Sequence, residues 1–176
     1  MKTVVYKKIH FDQSGCKADS GNYFRFALWK PSLRSFIPKG KRKKYFVYWL
    51  FHFLHIFKNR DYSAILVYDN STLISSLLMV PAYYKWSFMN KNDLQFTYVL
   101  THPAYRGKGI AEKAIRYGIS KMNKPERCFW YVTDEGNSSS INLCSKIGFE
   151  HFYTAKRSRY FKTLKIETNG SDQVEI

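Results

Sequence analysis

Two cations and two glycines, Arg106-Gly107-Lys108-Gly109, stand where a strand pattern gives way to a helix pattern. Upstream, Gln95, Thr97, Val99 and Thr101 alternate with Phe96, Tyr98 and Leu100, the period of an extended strand rich in β-branched and aromatic residues. Pro103 ends it, because proline donates nothing to a sheet ladder and holds its predecessor extended. Downstream, Ile110, Ala114, Ile115, Gly118, Ile119 and Met122 recur on one face of a helix. A helix entered through such a turn offers unpaired backbone N–H groups at the positive end of its dipole. Gly107 and Gly109 keep side chains away from an approaching anion, and Arg106 and Lys108 add charge. The chemistry is that of a diphosphate cradle.

Two common cradles are excluded by spacing. The chain has no G-x-x-x-x-G-K-[ST] run, and Glu112 stands where a dinucleotide fingerprint needs its third glycine. Arg106, Gly109 and Ala111 instead meet the pattern [QR]-x-x-G-x-[GA]. A second block lies downstream, Asn137-Ser-Ser-Ser-Ile141-Asn-Leu-Cys-Ser-Lys146-Ile-Gly148-Phe149, separated from the first by room for one more strand at 127–133. Together these resemble the acyl-CoA site of the GNAT N-acetyltransferase superfamily, strongly over residues 60–160 and vaguely before that. More weakly, Phe129-Trp-Tyr-Val132 and the Asn137 block resemble those of members associated with surface-polysaccharide synthesis.

The resemblance implies acetyl-CoA as co-substrate, bound by Arg106, Gly107, Lys108, Gly109, Ile110 and Ala111, with no metal. It also implies a central strand that splays from its neighbour, with the backbones of Leu100 and Thr101 pairing with the pantetheine arm. Asn137 matches a position that contacts that arm, and it also suits a plain helix N-cap. Many relatives carry a proton-donating tyrosine where this chain has Cys144. That thiol is a weak donor, and a buried core cysteine is the competing reading. Tyr98 and Tyr131 are substitutes for the acid, unranked. Asp93, His102 and Glu135 are candidate bases, none assigned.

Hydrophobic residues make up 45% of 176 positions, which fits one folded domain and argues against disorder. Cys16, Cys128 and Cys144 are odd in number and follow no metal-ligand spacing, which points to a reducing compartment. Met1–Phe11 lacks the apolar stretch of a signal peptide, so a cytoplasmic location is expected. The formal net charge of +16 calls for acidic partners: coenzyme A, nucleotide-linked substrates, nucleic acid or an anionic membrane. No RNP-type motif accompanies the charge, so nucleic acid is disfavoured. The expected acceptor is a small primary amine such as a nucleotide- or lipid-linked amino sugar. A protein N-terminus or lysine is the alternative, as is a non-catalytic binding module, and a homodimer is left open.

The remaining elements must position this site. Residues 2–9 read as an opening strand, 63–68 and 73–80 as a hairpin, and 137–147 as a helix stopped by Gly148. Residues 149–154 and 158–164 read as a closing hairpin turning at Ala155–Arg157. Between them they predict an α+β fold: a mixed, mostly antiparallel sheet with helices on both faces, spanning 1–166, and a polar tail at 167–176 expected to be disordered. Lys39-Gly-Lys-Arg-Lys-Lys44 runs into the apolar stretch 45–57, which is too short to span a bilayer. It reads either as a buried helix or as an interfacial one that brings 39–60 to an anionic membrane. Its His52 and His55 lie one turn apart without a third metal ligand in view. The aromatic loop 81–92 is either a core lid or an acceptor lining.

Overall fold

The computed structural model describes residues 2–8, 24–35, 44–157 and 164–166. Within them lie β1 (Lys2–Lys8), β2 (Phe24–Trp29), α1 (Lys44–Phe53), β3 (Ser63–Asp69), β4 (Thr72–Pro81), β5 (Leu94–Thr101), α2 (Ile110–Met122), β6 (Phe129–Asp134), α3 (Ser138–Ile147), β7 (Glu150–Arg157) and β8 (Leu164–Ile166). The strands form one sheet in the order β2-β3-β4-β5-β6-β1-β7-β8. Every pairing is antiparallel except β5 with β6, whose connection carries α2 across the sheet. The mixed α+β sheet expected from the sequence is the one observed.

Side chains alternate across the sheet and build two cores. One lies under α2 and α3, where Ile65, Val67, Leu77, Met79 and Phe96 meet Ile110, Ala114, Ile115, Ile119 and Ile147. Gly118 lets α2 sit low, since a Cβ there would come within 3.0 Å of Met79 Sδ and 3.3 Å of Phe96. The other core lies under α1 and residues 82–93, and aromatic side chains dominate it: Tyr45, Phe57, Tyr62, Tyr83, Trp86 and Trp130. The loop 81–92 is therefore largely a lid, with Tyr83 and Trp86 buried and Tyr84 exposed.

The opening strand β1 is inserted between β6 and β7, and Lys8 Nζ donates to the carbonyls of Ile147 and Gly148 at the end of α3. One expectation needs correction. The closing hairpin does not turn at Ala155–Arg157. Those residues are still in β7 and pair with β8, Ala155 opposite Ile166 and Arg157 opposite Leu164. The basic run up to Lys43, Cys16 and the tail 167–176 fall outside the described residues.

Candidate functional site

β5 and β6 pair over three positions only, Leu94 with Phe129, Gln95 with Trp130 and Phe96 with Tyr131. Past Phe96 the two strands part. The cause lies on the other edge of β5, where the register with β4 slips between Ser76 and Leu78. Tyr98 there takes φ 50°, a left-handed conformation that costs a non-glycine residue about 1–2 kcal/mol. A bulge of this kind turns a strand away from its neighbour. The resulting cleft has two adjoining sections of about 340 Å³ each, which share Val99, Tyr131 and Ser140.

The outer section opens on the cradle. Arg106, Gly107, Gly109, Ile110 and Ala111 line it, with Ser139, Asn142 and Lys146 from α3 opposite. Gly109 is the N-cap of α2 at φ 70°, and Gly107 has φ 76°. A Cβ built on either would meet no protein atom within 4 Å, so packing does not demand glycine there. Backbone conformation and open space for a ligand do. Arg106 Nε reaches the Thr101 carbonyl at 3.3 Å. Lys108 does not line the cleft; its ammonium lies 5.0 Å from the Tyr105 ring centroid.

The bulge changes which backbone groups of β5 face the gap. Ser75 Oγ donates to the Leu100 carbonyl at 2.9 Å, and His102 N–H donates to the Ile74 carbonyl, so the even positions point toward β4. Val99 and Thr101 line the cleft and Leu100 does not.

Asn137 is a helix N-cap that also borders the cleft. Its side chain accepts from Ser140 N–H at 3.1 Å as an N-cap, and it lines the inner section beside Thr97, Tyr98 and Thr133. Cys144 lines neither section: it is fully buried on the core-facing side of α3, and burial pushes its thiol up to about 12. Tyr131 lines both. Its hydroxyl donates to Ser140 Oγ at 3.4 Å, and burial raises its pKa above the ordinary phenol value. Sequence reasoning missed Ser139, Ser140 and Lys146; the one available signal was their place in the Asn137 block.

On the opposite face, the Tyr98 ring lies 6.1 Å from that of Tyr48 on α1. Phe51, also on α1, has its ring 5.8 Å from that of Tyr83, so aromatic contacts tie α1 to both the lid loop and the bulge. Burial pushes Tyr83 up to about 12 and raises Tyr48 further. The base candidates are elsewhere. Asp93 is buried and accepts from Asn90 N–H (2.8 Å), Trp130 Nε1–H (2.8 Å) and Cys128 N–H (3.0 Å), a structural knot. His102 and Glu135 are exposed and line neither section. Arg60 lies against the His55 ring, and among the described residues no group of three His, Cys, Asp or Glu side chains converges on a metal site.

The sequence model described as the acetyltransferase (GNAT) family matches residues 27–149. No curated protein matches. Among solved structures, a GNAT-family protein from Novosphingobium aromaticivorans superposes with a TM-score of 0.54 at 16% identity, covering 88% of this chain and 62% of its own. A GCN5-related N-acetyltransferase-like protein from Streptococcus suis gives 0.53 at 14%, covering 86% and 58%. A conserved protein of unknown function from Staphylococcus epidermidis gives 0.51 at 11%, covering 87% and 58%. The chain thus spans less than two thirds of each of these proteins, and at such identities the likeness is one of fold. Neither the family match nor these structures speaks for the likeness to polysaccharide-associated members. Since the family match spans well over half of its 176 residues, the chain belongs to the GNAT acetyltransferase family.

Proposed function

We propose that the protein transfers an acetyl group from acetyl-CoA to a primary amine, by direct attack with both substrates bound. One observation carries this reading: a strand pair that splays at a left-handed tyrosine and opens onto a glycine-lined helix start. The residues present fit acetyl-CoA, because the cradle has room above both glycines and β5 offers an unpaired edge beyond Phe96. Bound there, it supplies an activated thioester.

The first N–H groups of α2, with Arg106 and Lys146, hold a diphosphate. Val99 and Thr101 extend the sheet edge to amide groups of an extended arm. A backbone N–H at the gap donates to the acyl oxygen as charge builds there, the largest single contribution expected in acyl transfer. Tyr131, protonated at neutral pH and held at Ser140, gives its proton to the departing sulfur. The amine, with a pKa of about 10 if it resembles lysine, loses its proton through water toward Asp134, the carboxylate that lines the inner section, Asp93, His102 and Glu135 all lying outside the cleft. A carbon–nitrogen bond forms, the carbon–sulfur bond breaks, and the phenol is reprotonated by solvent.

The acceptor enters the inner section of the cleft beside Tyr98 and Tyr131. Phenolic hydroxyls among aromatic rings suit a hydroxylated ring bearing an amine, so an amino sugar is the first class to test. The test is thiol release from acetyl-CoA with nucleotide amino sugars, a polyamine, an aminoglycoside and a basic peptide. Release with an amino sugar supports the full reading, and release with the peptide alone replaces the acceptor. Binding of acetyl-CoA without release for any acceptor would make the protein a coenzyme A binder.

A further inference from the structure

Of the eight large apolar side chains exposed among the described residues, six gather around α1: Leu33, Phe46, Val47, Leu50, Leu54 and Tyr84. The helix has two apolar faces with different fates. Tyr45 is buried, and Tyr48 and Phe51 pack on the aromatic core. Phe46 (44% exposed), Val47 (48%), Leu50 (37%) and Leu54 (60%) recur three to four residues apart and form one outward stripe. Leu54 belongs to it because its N–H still bonds to the Leu50 carbonyl at 2.8 Å. Trp49 Nε1–H donates to the Ser32 carbonyl at 3.1 Å, which brings the turn tip at Leu33 beside the helix. On the far side, the Tyr84 ring lies 6.5 Å from that of Phe51.

The sequence that contains this stripe carries charge of one sign. Residues 20–60 contain ten Lys or Arg and no Asp or Glu, six tenths of the net +16 in under a quarter of the chain. Lys30, Arg34, Lys58 and Arg60 are exposed near the helix, and the run Lys39–Lys44 leads directly into it.

We propose that the outward stripe of α1 docks on an anionic lipid surface, the apolar side chains entering the acyl boundary and the surrounding cations meeting headgroups. An exposed apolar stripe with the exposed cations Lys30, Arg34, Lys58 and Arg60 near it, in a stretch of sequence without acidic residues, fits that boundary on both counts. A second copy related by a twofold axis would bring two strongly basic segments together, which opposes association. A nucleic-acid backbone would satisfy the cations and leave Val47, Leu50 and Leu54 uncovered. The helix lies on the bilayer rather than through it: among the described residues no helix is long and apolar enough to cross. Docking would turn the α1 side of the sheet toward the lipid, with Tyr48 and Tyr98 on the protein side of the helix. The inference stands on the surface of α1 and does not depend on the acceptor.

The test is sedimentation of the full chain with phosphatidylcholine vesicles, with and without phosphatidylglycerol. The protein should pellet with the anionic vesicles alone and be released by salt. Leu50→Glu and Leu54→Glu replace exposed side chains, so melting and acetyl-CoA binding should hold while vesicle affinity falls tenfold or more. Acyl-chain bromine should quench fluorescence in the wild type and not in Trp49→Phe, a readout that needs no disruptive variant. Failure to pellet with anionic vesicles, or pelleting that both glutamate variants retain, would overturn the proposal. So would a dimer in sedimentation velocity that Leu50→Glu dissociates, or oligonucleotide binding that Leu50→Glu weakens as much as vesicle binding.

Discussion

The two faces of the sheet are built from different materials. Under α2 and α3 the core is mostly aliphatic, and the cleft above it is made mainly by backbone: two glycines in positive φ, a helix start and a strand edge. Under α1 and the lid loop the core is aromatic, and what faces the bulge is side chains, Tyr48, Tyr83 and Tyr98. Backbone sites recognise what many ligands share, such as a diphosphate. Side-chain sites can be rebuilt for one acceptor without disturbing the other face. The left-handed Tyr98 joins them, since one residue both parts the strands and presents its ring to α1.

The sharpest way to break this comparison is Gly109→Glu. It puts a β-carbon at φ 70° and a carboxylate into an anion site. Affinity for coenzyme A should fall by about a hundredfold or more, near 3 kcal/mol. Near-ultraviolet circular dichroism from the aromatic face should not change. Calorimetric affinity equal to wild type would remove the cradle from the site. Next in size is Tyr131→Phe, which keeps the ring and deletes the proton. Turnover should drop by about a hundredfold, within the usual range for losing a general acid, with acetyl-CoA affinity held. A loss confined to KM would make Tyr131 a packing residue of the cleft.

The backbone-made half was the legible half. Glycine spacing, a proline stop and a 3.6-residue apolar period all act locally, so the elements over 94–122 and the turn at Gly107 and Gly109 could be read directly. The parity of β5 could not. The slip opposite Leu77 exchanges Leu100 for Val99 at the gap, and no residue type announces it. β1 between β6 and β7 was equally hidden, because strand order is a matter of nonlocal pairing. The stretch 45–57 is apolar nearly all round, so its pattern could not tell the buried face of Tyr45 and Tyr48 from the exposed one of Val47 and Leu50. Tyr131 and Lys146 meet across a cleft from separate elements, which only the fold brings about.

On the aromatic face, Asp93→Asn should leave coenzyme A binding intact and loosen the lid. An amide cannot accept from all three donors that the carboxylate serves, Asn90, Cys128 and Trp130. A buried donor left unpaired costs about 1–3 kcal/mol, so melting should fall by roughly 3–9 °C in a chain of this size. An altered pH profile of turnover without that loss would return Asp93 to catalysis.

The smallest effect expected at neutral pH is that of Cys144→Ala, and it separates the thiol from the phenol beside it. A fully buried sulfur removed from the α3 face should cost about 1 kcal/mol in packing, with kcat unchanged. Alkaline titration reads the same thiol from another side. Its pKa in the folded chain is pushed up to about 12 by burial, whereas the unfolded chain ionises in the ordinary thiol range near 8.5. Between those values the unfolded state has released a proton that the native state keeps, so the contribution to stability is intact below pH 8.5 and shrinks as pH rises toward 12. Cys144→Ala should flatten that part of the stability–pH curve, leaving the decline from buried tyrosines above about pH 10. If the variant instead slows turnover as much as Tyr131→Phe while its alkaline curve follows the wild type, the proton of the leaving sulfur comes from the thiol. The division between a backbone-made face and a side-chain-made one would then fail at the reacting atom.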